Sequence, residues 1–316
     1  MFVESLIFSF SVTGPICLML CLGWLLKRIH LINEAFVETA SKLVYQVTLP
    51  ALLFLSIVNA DKDTQININY ISYSLAANLL FFLLCIVLIK FFIKDKQDHG
   101  VIIQGSFRAN TAIIGLAYAA NVYGDSGVAL AAVYVAFVTV LYNILAVIVL
   151  TQGQAGICTR RIVDLLCSIC KNPLIISIFI GVICFSLAVR IPPVMIQTGQ
   201  YFADMTLPLA LLCTGASLNL KELQSSRSSA WFAAGLKLVL APLLITGSAY
   251  LLGFSEMEIG LLFFMSGAPA AAASYVMARS MGGNANLAAN IIAVTTAGSL
   301  LSCSIGISLL YTLDIM

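Results

Sequence analysis

The run Gln104-Gly105-Ser106-Phe107-Arg108-Ala109-Asn110-Thr111-Ala112 places a guanidinium, an amide and a hydroxyl together in the middle of an apolar stretch. Polar groups in such a setting are costly unless a partner or a cavity receives them. Arg108, Asn110 and Thr111 are therefore candidates for binding a solute. A second interruption reads Ser266-Gly267-Ala268-Pro269-Ala270-Ala271-Ala272-Ala273-Ser274. Pro269 removes a helical hydrogen bond and clashes with the preceding turn. Ser266 and Gly267 resemble the start signal of a new half-helix, and Asn110 or Thr111 could cap one in the first run. Two half-helix N-termini aimed at one point would offer free N–H groups and partial positive charge. That chemistry suits an anion, and a carboxylate is the commonest small organic one. Pro269, Ala270 and Ser274 complete this candidate site, with Ser56 and Thr214 as hydroxyls on a facing wall.

Two further charges, Asp204 and Lys237, fall deep within apolar stretches. Lys237 could attract the anion and Asp204 could hold a proton or cation. Alternatively, the basic side chains snorkel to a surface or pair with Asp204 to fix packing. Asn143 and Asn290 could orient the crossing of the two interrupted segments or bridge helices.

The elements that must carry these groups are membrane spans. Hydrophobic residues form 61% of the 316 positions and charged residues 9%, against about 25% charged in soluble domains. Ten stretches reach the roughly 20 apolar residues that a crossing requires, at about 3–26, 38–60, 70–92, 100–122, 126–150, 173–191, 195–219, 229–253, 257–280 and 287–312. The segment Met1–Ser5 carries only Glu4, so the first stretch reads as a permanent span and not a cleaved signal. With the N-terminus outside, eleven loop or span-end Lys and Arg fall inside and two, Lys62 and Arg190, outside. The excess of inner positive charge predicts both termini outside. The inner segment of about 151–172 has the pattern of a helix lying on the membrane surface.

Thr48-Leu49-Pro50 recurs as Thr206-Leu207-Pro208, at an offset of 158 residues, half the chain. The same offset carries Pro15 to Pro173 and Gly23 to Gly181. A five-span repeat has an odd number of crossings, so the second copy must be inverted. Inverted repeats characterise secondary transporters. The fold expectation is thus all-α and polytopic: ten helices in two inverted five-helix repeats, residues 1–155 and 156–316, with broken crossing helices 4 and 9.

Several classes are disfavoured. Neither His30 nor His99 lies in a span, and no HExxH or GxSxG run occurs, so no enzyme is expected. Cys167 and Cys170 form a lone C-x-x-C without further ligands nearby, so neither metal nor cofactor is expected. The net charge of +2 gives no case for nucleic acid.

Phe107-Arg108-Ala109-Asn110-Thr111 through Gly115 to Tyr123-Gly124-Asp125 resembles the auxin efflux carrier family of permeases. So do Leu49-Pro50-Ala51-Leu52-Leu53-Phe54, Asn172-Pro173-Leu174-Ile175-Ile176, Pro208-Leu209-Ala210-Leu211 with Gly215-Ala216-Ser217-Leu218, and Ala268-Pro269 with Ala278 and Gly283. The resemblance implies a scaffold of helices 1, 2, 6 and 7 and a moving transport domain of helices 3–5 and 8–10. It implies substrate contact by Asn110 where helices 4 and 9 cross. Bile-acid-type sodium symporters share this architecture more remotely. Two features depart from the pattern: Ala270 stands where an amide would complete a polar pair, and the long central loop of plant members is absent, as in compact bacterial-type members. The expected function is a cell-membrane permease or efflux carrier for a small organic carboxylate, working by alternating access. The alternatives are an ion-coupled symporter, a channel, or a sensor without active transport. H+ or Na+ coupling and a homodimer through the scaffold helices stay open.

Overall fold

The computed structural model describes residues 2–59, 68–151, 173–187, 189–217, 228–313 and 315. The surface-helix reading of 151–172, the Cys167–Cys170 pair and the loop charges Lys62, Arg160, Arg161, Lys171, Lys221 and Arg227 lie outside the described residues or at their edge. Among the described residues the chain is all-helical. In order it forms α1 (Phe2–Arg28), α2 (Glu34–Leu43), α3 (Leu49–Val58), α4 (Ile68–Phe92), α5 (His99–Phe107) and α6 (Leu116–Thr151). There follow α7 (Pro173–Ser186), α8 (Pro193–Ser217), α9 (Ser228–Gly235), α10 (Ala241–Leu251), α11 (Glu256–Gly267), α12 (Ala273–Ser280) and α13 (Ala285–Thr312).

Three wider, π-type segments join some of these into longer rods: Val44–Thr48, Thr111–Gly115 and Leu236–Leu240. Two have a visible cause. Val44–Thr48 runs into Leu49-Pro50, and Leu236–Leu240 runs into Ala241-Pro242. Proline has no N–H to give and crowds the carbonyl four residues back. Widening the preceding turn lets the rod pass through without a break.

Among the described residues, six rods are long and apolar enough to cross a membrane: Ile7–Arg28, Glu34–Val58, Ile68–Phe92, Thr111–Leu150, Ser228–Leu251 and Ala285–Thr312. The difference from ten expected stretches has local reasons. The fourth and ninth stretches are broken into α5 and Thr111–Gly115, and into α11 and α12, each too short alone. The sixth, α7, has 14 residues. The seventh, α8, is 25 residues long but carries Gln197, Gln200 and Asp204, which lower its hydropathy. No loop separates the fourth stretch from the fifth. Two helical segments, 116–123 and 125–151, meet directly at Gly124, whose φ of 59° and ψ of −147° are non-helical. A side chain would be strained at that φ, and glycine is not.

Helix starts are set by local chemistry. Asn33 Oδ1 accepts from Phe36 N ahead of α2, and Asn284 Oδ1 from Leu287 N ahead of α13. Ser255 and Glu258 form a reciprocal capping box at α11. One face of the bundle is built by close approach of α1 and α8. A Cβ on Gly23 would lie 2.0 Å from the Leu212 carbonyl oxygen, and one on Gly215 would lie 2.0 Å from that of Leu20. Helix α3 packs against both α7 and α8. Helices α4, α5, α6, α9–α11 and α13 form a second packed group. Its apolar core, with Ile102, Phe107, Tyr134, Leu261 and Ile291, runs on into the first group through Leu53, Ile178 and Ala210, and α1 also packs against α13.

Candidate functional site

The site begins with two interruptions that meet. Helix α5 ends at Phe107, and Arg108 takes extended backbone, φ −78° and ψ 102°. Helix α11 ends at Gly267, and Ala268 is likewise extended at φ −58° and ψ 143°. Ala109 and Ala270 then face each other in an antiparallel bridge. Asn110 N donates to Pro269 O at 2.7 Å, and Ala271 N donates to Arg108 O at 3.0 Å. Backbone polar groups freed by each break are thus satisfied by the other. Irregular backbone at membrane depth is tolerated under that condition.

The second half-helix starts later than its sequence suggests. Ser266 and Gly267 close α11 and do not open a new helix. The next helix, α12, begins at Ala273. On the other side Asn110 occupies the cap position of Thr111–Gly115, with its carbonyl accepting from Ile114 N and Gly115 N at 3.2 Å each. Its side chain makes no capping bond and instead contributes to a cavity wall.

That cavity has a volume of about 350 Å³. One wall is Arg108–Ile113 together with Thr139, Tyr142 and Asn143 of α6. Ala271, Ala272 and Ala273 bring the start of α12 to it, and Ile292 and Thr296 add α13. The opposite wall comes from the other packed group: Ser41 of α2, Val44, Tyr45, Leu49 of α3, Leu174 of α7, and Ala210, Cys213, Thr214 and Ser217 of α8. The cavity therefore lies between the two groups of helices, with an apolar lining and a few hydroxyls and amides.

Arg108 is the charged side chain on this lining. It is 7% exposed. Its Nη2 donates to Asn143 Oδ1 at 2.7 Å, and its Nη1 donates to Met277 Sδ on α12. Both acceptors are neutral, and no carboxylate among the described residues pairs with it. A buried guanidinium held this way keeps a net positive charge beside the cavity. Tyr142, next to Asn143, donates its hydroxyl to Asn78 Oδ1 at 2.7 Å, and Asn78 Nδ2 donates to Tyr134 Oη at 2.9 Å. This buried network ties α6 to α4 behind the first interruption.

The sequence candidates separate into two sets. Arg108, Asn110, Thr111 and Thr214 share the cavity. Thr214 also donates to the Ala210 carbonyl of its own helix. Pro269 and Ala270 lie behind it, in the bridge, where Ala270 N donates to Thr295 Oγ1 at 3.1 Å. Ser274 is buried at the second position of α12, and its hydroxyl has no hydrogen-bond partner. Ser56 bonds back to the Leu52 carbonyl on α3, away from the cavity lining.

Lys237 is 1% exposed. Its ammonium donates to the Ser266 carbonyl at 2.7 Å. It thus meets the C-terminal end of α11, where carbonyls lack helical partners and a cation is favourable. Cys303 Sγ lies 3.7 Å from the next carbonyl, that of Gly267. Asp204 is exposed on α8 and accepts from Gln200 Nε2 at 2.7 Å. Neither charge lines the cavity, and the two do not pair. Among the described residues no group of His, Cys, Asp and Glu could hold a metal ion.

Thr139, on the cavity lining, and Met277, behind Arg108, are residues that the sequence did not flag. A lone methionine or threonine in an apolar helix carries no signal until the break brings a donor against it.

Broken helices paired across a cavity, within a chain of long apolar rods, define a polytopic membrane transporter. A family model described as membrane transport protein matches residues 10–307, and the chain belongs to that family, the auxin efflux carrier family. It is similar to an uncharacterized transporter of Methanothermobacter thermautotrophicus, at 21% identity over 91% of this chain and 93% of the relative. It is similar also to the uncharacterized transporter YfdV of Escherichia coli K12, at 25% identity over 78% and 81% of the two chains. The uncharacterized transporter MJ1031 of Methanocaldococcus jannaschii is 23% identical over 90% and 94%.

Proposed function

We propose that the protein is a secondary transporter of a small organic anion, a carboxylate, bound where the two interruptions meet and moved by alternating access. The observation that carries this reading is the guanidinium of Arg108. It is buried beside the cavity, without a carboxylate among the described residues, between two helix starts at Thr111 and Ala273. An anion would receive a full charge from Arg108, amide and hydroxyl donors from Asn110 and Thr111, and partial charge from the helix starts.

In this reading the chain has two inverted repeats, 1–155 and 156–316, ten crossing segments and both termini outside. The rods α1, α2–α3, α7 and α8 are the scaffold, and the remaining helices are the transport domain. Support comes from the packing: α1 with α8 and α3 with α7 and α8 make close helix contacts, and the cavity lies between that group and the other. Sliding one group against the other would present the cavity to each side in turn. Proteins of this kind place their sites at repeat interfaces near the midplane.

The test is ligand-induced stabilisation of the purified protein by a panel of mono- and dicarboxylates, with neutral amides of the same shapes as controls. The reading expects carboxylates to raise the melting temperature and the amides to leave it unchanged. Equal effects of acid and amide would remove the case for an anion.

A further inference from the structure

Resting on the carboxylate reading, we infer that Met277 is an internal competitor of the substrate: its thioether occupies the Arg108 donor that a bound carboxylate would take, and so sets the affinity of the site. Two strong donors converge on one sulfur. Arg108 Nη1 donates to Met277 Sδ, and Gln104 Nε2 points at the same atom from 3.8 Å. Both residues are buried, Gln104 completely. A thioether is a weak acceptor. A carboxylate accepting from arginine makes charge-assisted bonds about twice as strong as neutral ones.

The geometry makes exchange of partner simple. Arg108 lines the cavity while Met277 does not, so Nη1 exchanges the thioether for an anion there by a turn of the guanidinium alone. Asn143 holds Nη2 from α6 and keeps the group in place as Nη1 changes partner. Before substrate enters, Met277 spares the buried guanidinium the cost of an unmet donor. Because it accepts weakly, it is also displaced readily. A carboxylate or amide oxygen in its place would hold Arg108 more firmly and leave less for the substrate. Met277 belongs to α12 and Arg108 to the extended segment after α5. Substrate binding would therefore undo one side-chain tie between the two interruptions while the Ala109–Ala270 bridge stays closed. In this account Met277 is a positioning residue. It acts through Arg108 and does not touch substrate.

The test is a series at position 277 with nearly constant volume: Met277→Leu, Met277→Gln and Met277→Glu. Benzoate and succinate serve as probes, and their dissociation constants are read from thermal shift of the purified full-length protein. The expected order of affinity is Leu equal to or tighter than wild type, then Gln, then Glu, with about ten-fold or more between the ends, equivalent to about 1.4 kcal/mol. In an Arg108→Gln background the order should collapse, since the competition passes through that group. A packing role would lower stability across the series without ordering the affinities. If benzoate or succinate stabilises the wild type and binds Met277→Leu and Met277→Glu equally, the competitor role is overturned and the carboxylate reading stands. If neither probe stabilises the wild type while neutral amides do, both are overturned.

Discussion

The backbone amide of Asn110 donates to the carbonyl of Pro269 at 2.7 Å, joining two chain interruptions that lie 159 positions apart in sequence. This bond frees the Asn110 side chain from any role in closing the break. Its amide makes no capping bond and contributes to the cavity wall. Asn110→Ala should therefore fold normally and weaken substrate binding by about ten-fold, the scale of one lost hydrogen bond to a charged group. Thermal stability of the ligand-free protein and the dissociation constant of a bound carboxylate check the two halves separately. A fall in ligand-free stability without loss of affinity would place the side chain in the fold instead of the site.

Lys237 gives the opposite expectation. Its ammonium meets the Ser266 carbonyl at the end of α11, behind the cavity. Lys237→Met should lower stability by about 1–3 kcal/mol, because a buried carbonyl loses its donor. Substrate affinity of the molecules that remain folded should change little. Lys237→Arg should recover part of the stability if its longer fork reaches the same carbonyl. A large change in affinity with unaltered stability would contradict this placement.

The contact between α1 and α8 depends on the absence of side chains. Gly23→Ala places a Cβ against the Leu212 carbonyl, and Gly215→Ala places one against that of Leu20, at 2.0 Å each before relaxation. Backbone cannot yield as a flexible side chain does. Each substitution should cost about 1–3 kcal/mol or more, read as a lower melting temperature in detergent. Gly247→Ala, where no atom lies within 4 Å of the added Cβ, is the control and should be neutral or slightly stabilising.

Asp204 is exposed on α8 and bonded to Gln200 of the same helix. Asp204→Asn should shift stability by less than about 0.5 kcal/mol and leave uptake unchanged. A loss of uptake or of its dependence on a cation gradient would give Asp204 an ion-coupling role.

The two interruptions were legible because each breaks a strong pattern. Arg108-Ala109-Asn110-Thr111 is polar within an apolar run, and Pro269 cannot continue a helix. What could not be read was the partner of each group. Arg108 is held by Asn143 and by Met277, the latter 169 positions away, and Lys237 by a main-chain oxygen. A carbonyl carries no sequence signal, and a thioether in an apolar helix reads as packing. The start of α12 was misplaced for a related reason. Ser266 and Gly267 have cap-forming chemistry, but Ser266 Oγ bonds back to the Leu262 carbonyl at 2.6 Å, so the segment stays in α11 until Gly267. Gly124 marks a boundary in another way: a single glycine at positive φ breaks the helix and turns the chain without a polar loop, between the stretch ends expected at about 122 and 126.

The central claim is that an anion binds beside Arg108 and is carried across. Uptake of radiolabelled benzoate and succinate into proteoliposomes tests it, comparing the wild type, Arg108→Gln and Asp204→Asn. The account predicts saturable uptake of at least one of the two by the wild type and by Asp204→Asn. It predicts a fall of about 30-fold or more in Arg108→Gln, the scale expected when a buried charge pair loses one partner. Uptake by Arg108→Gln with wild-type kinetics would contradict it.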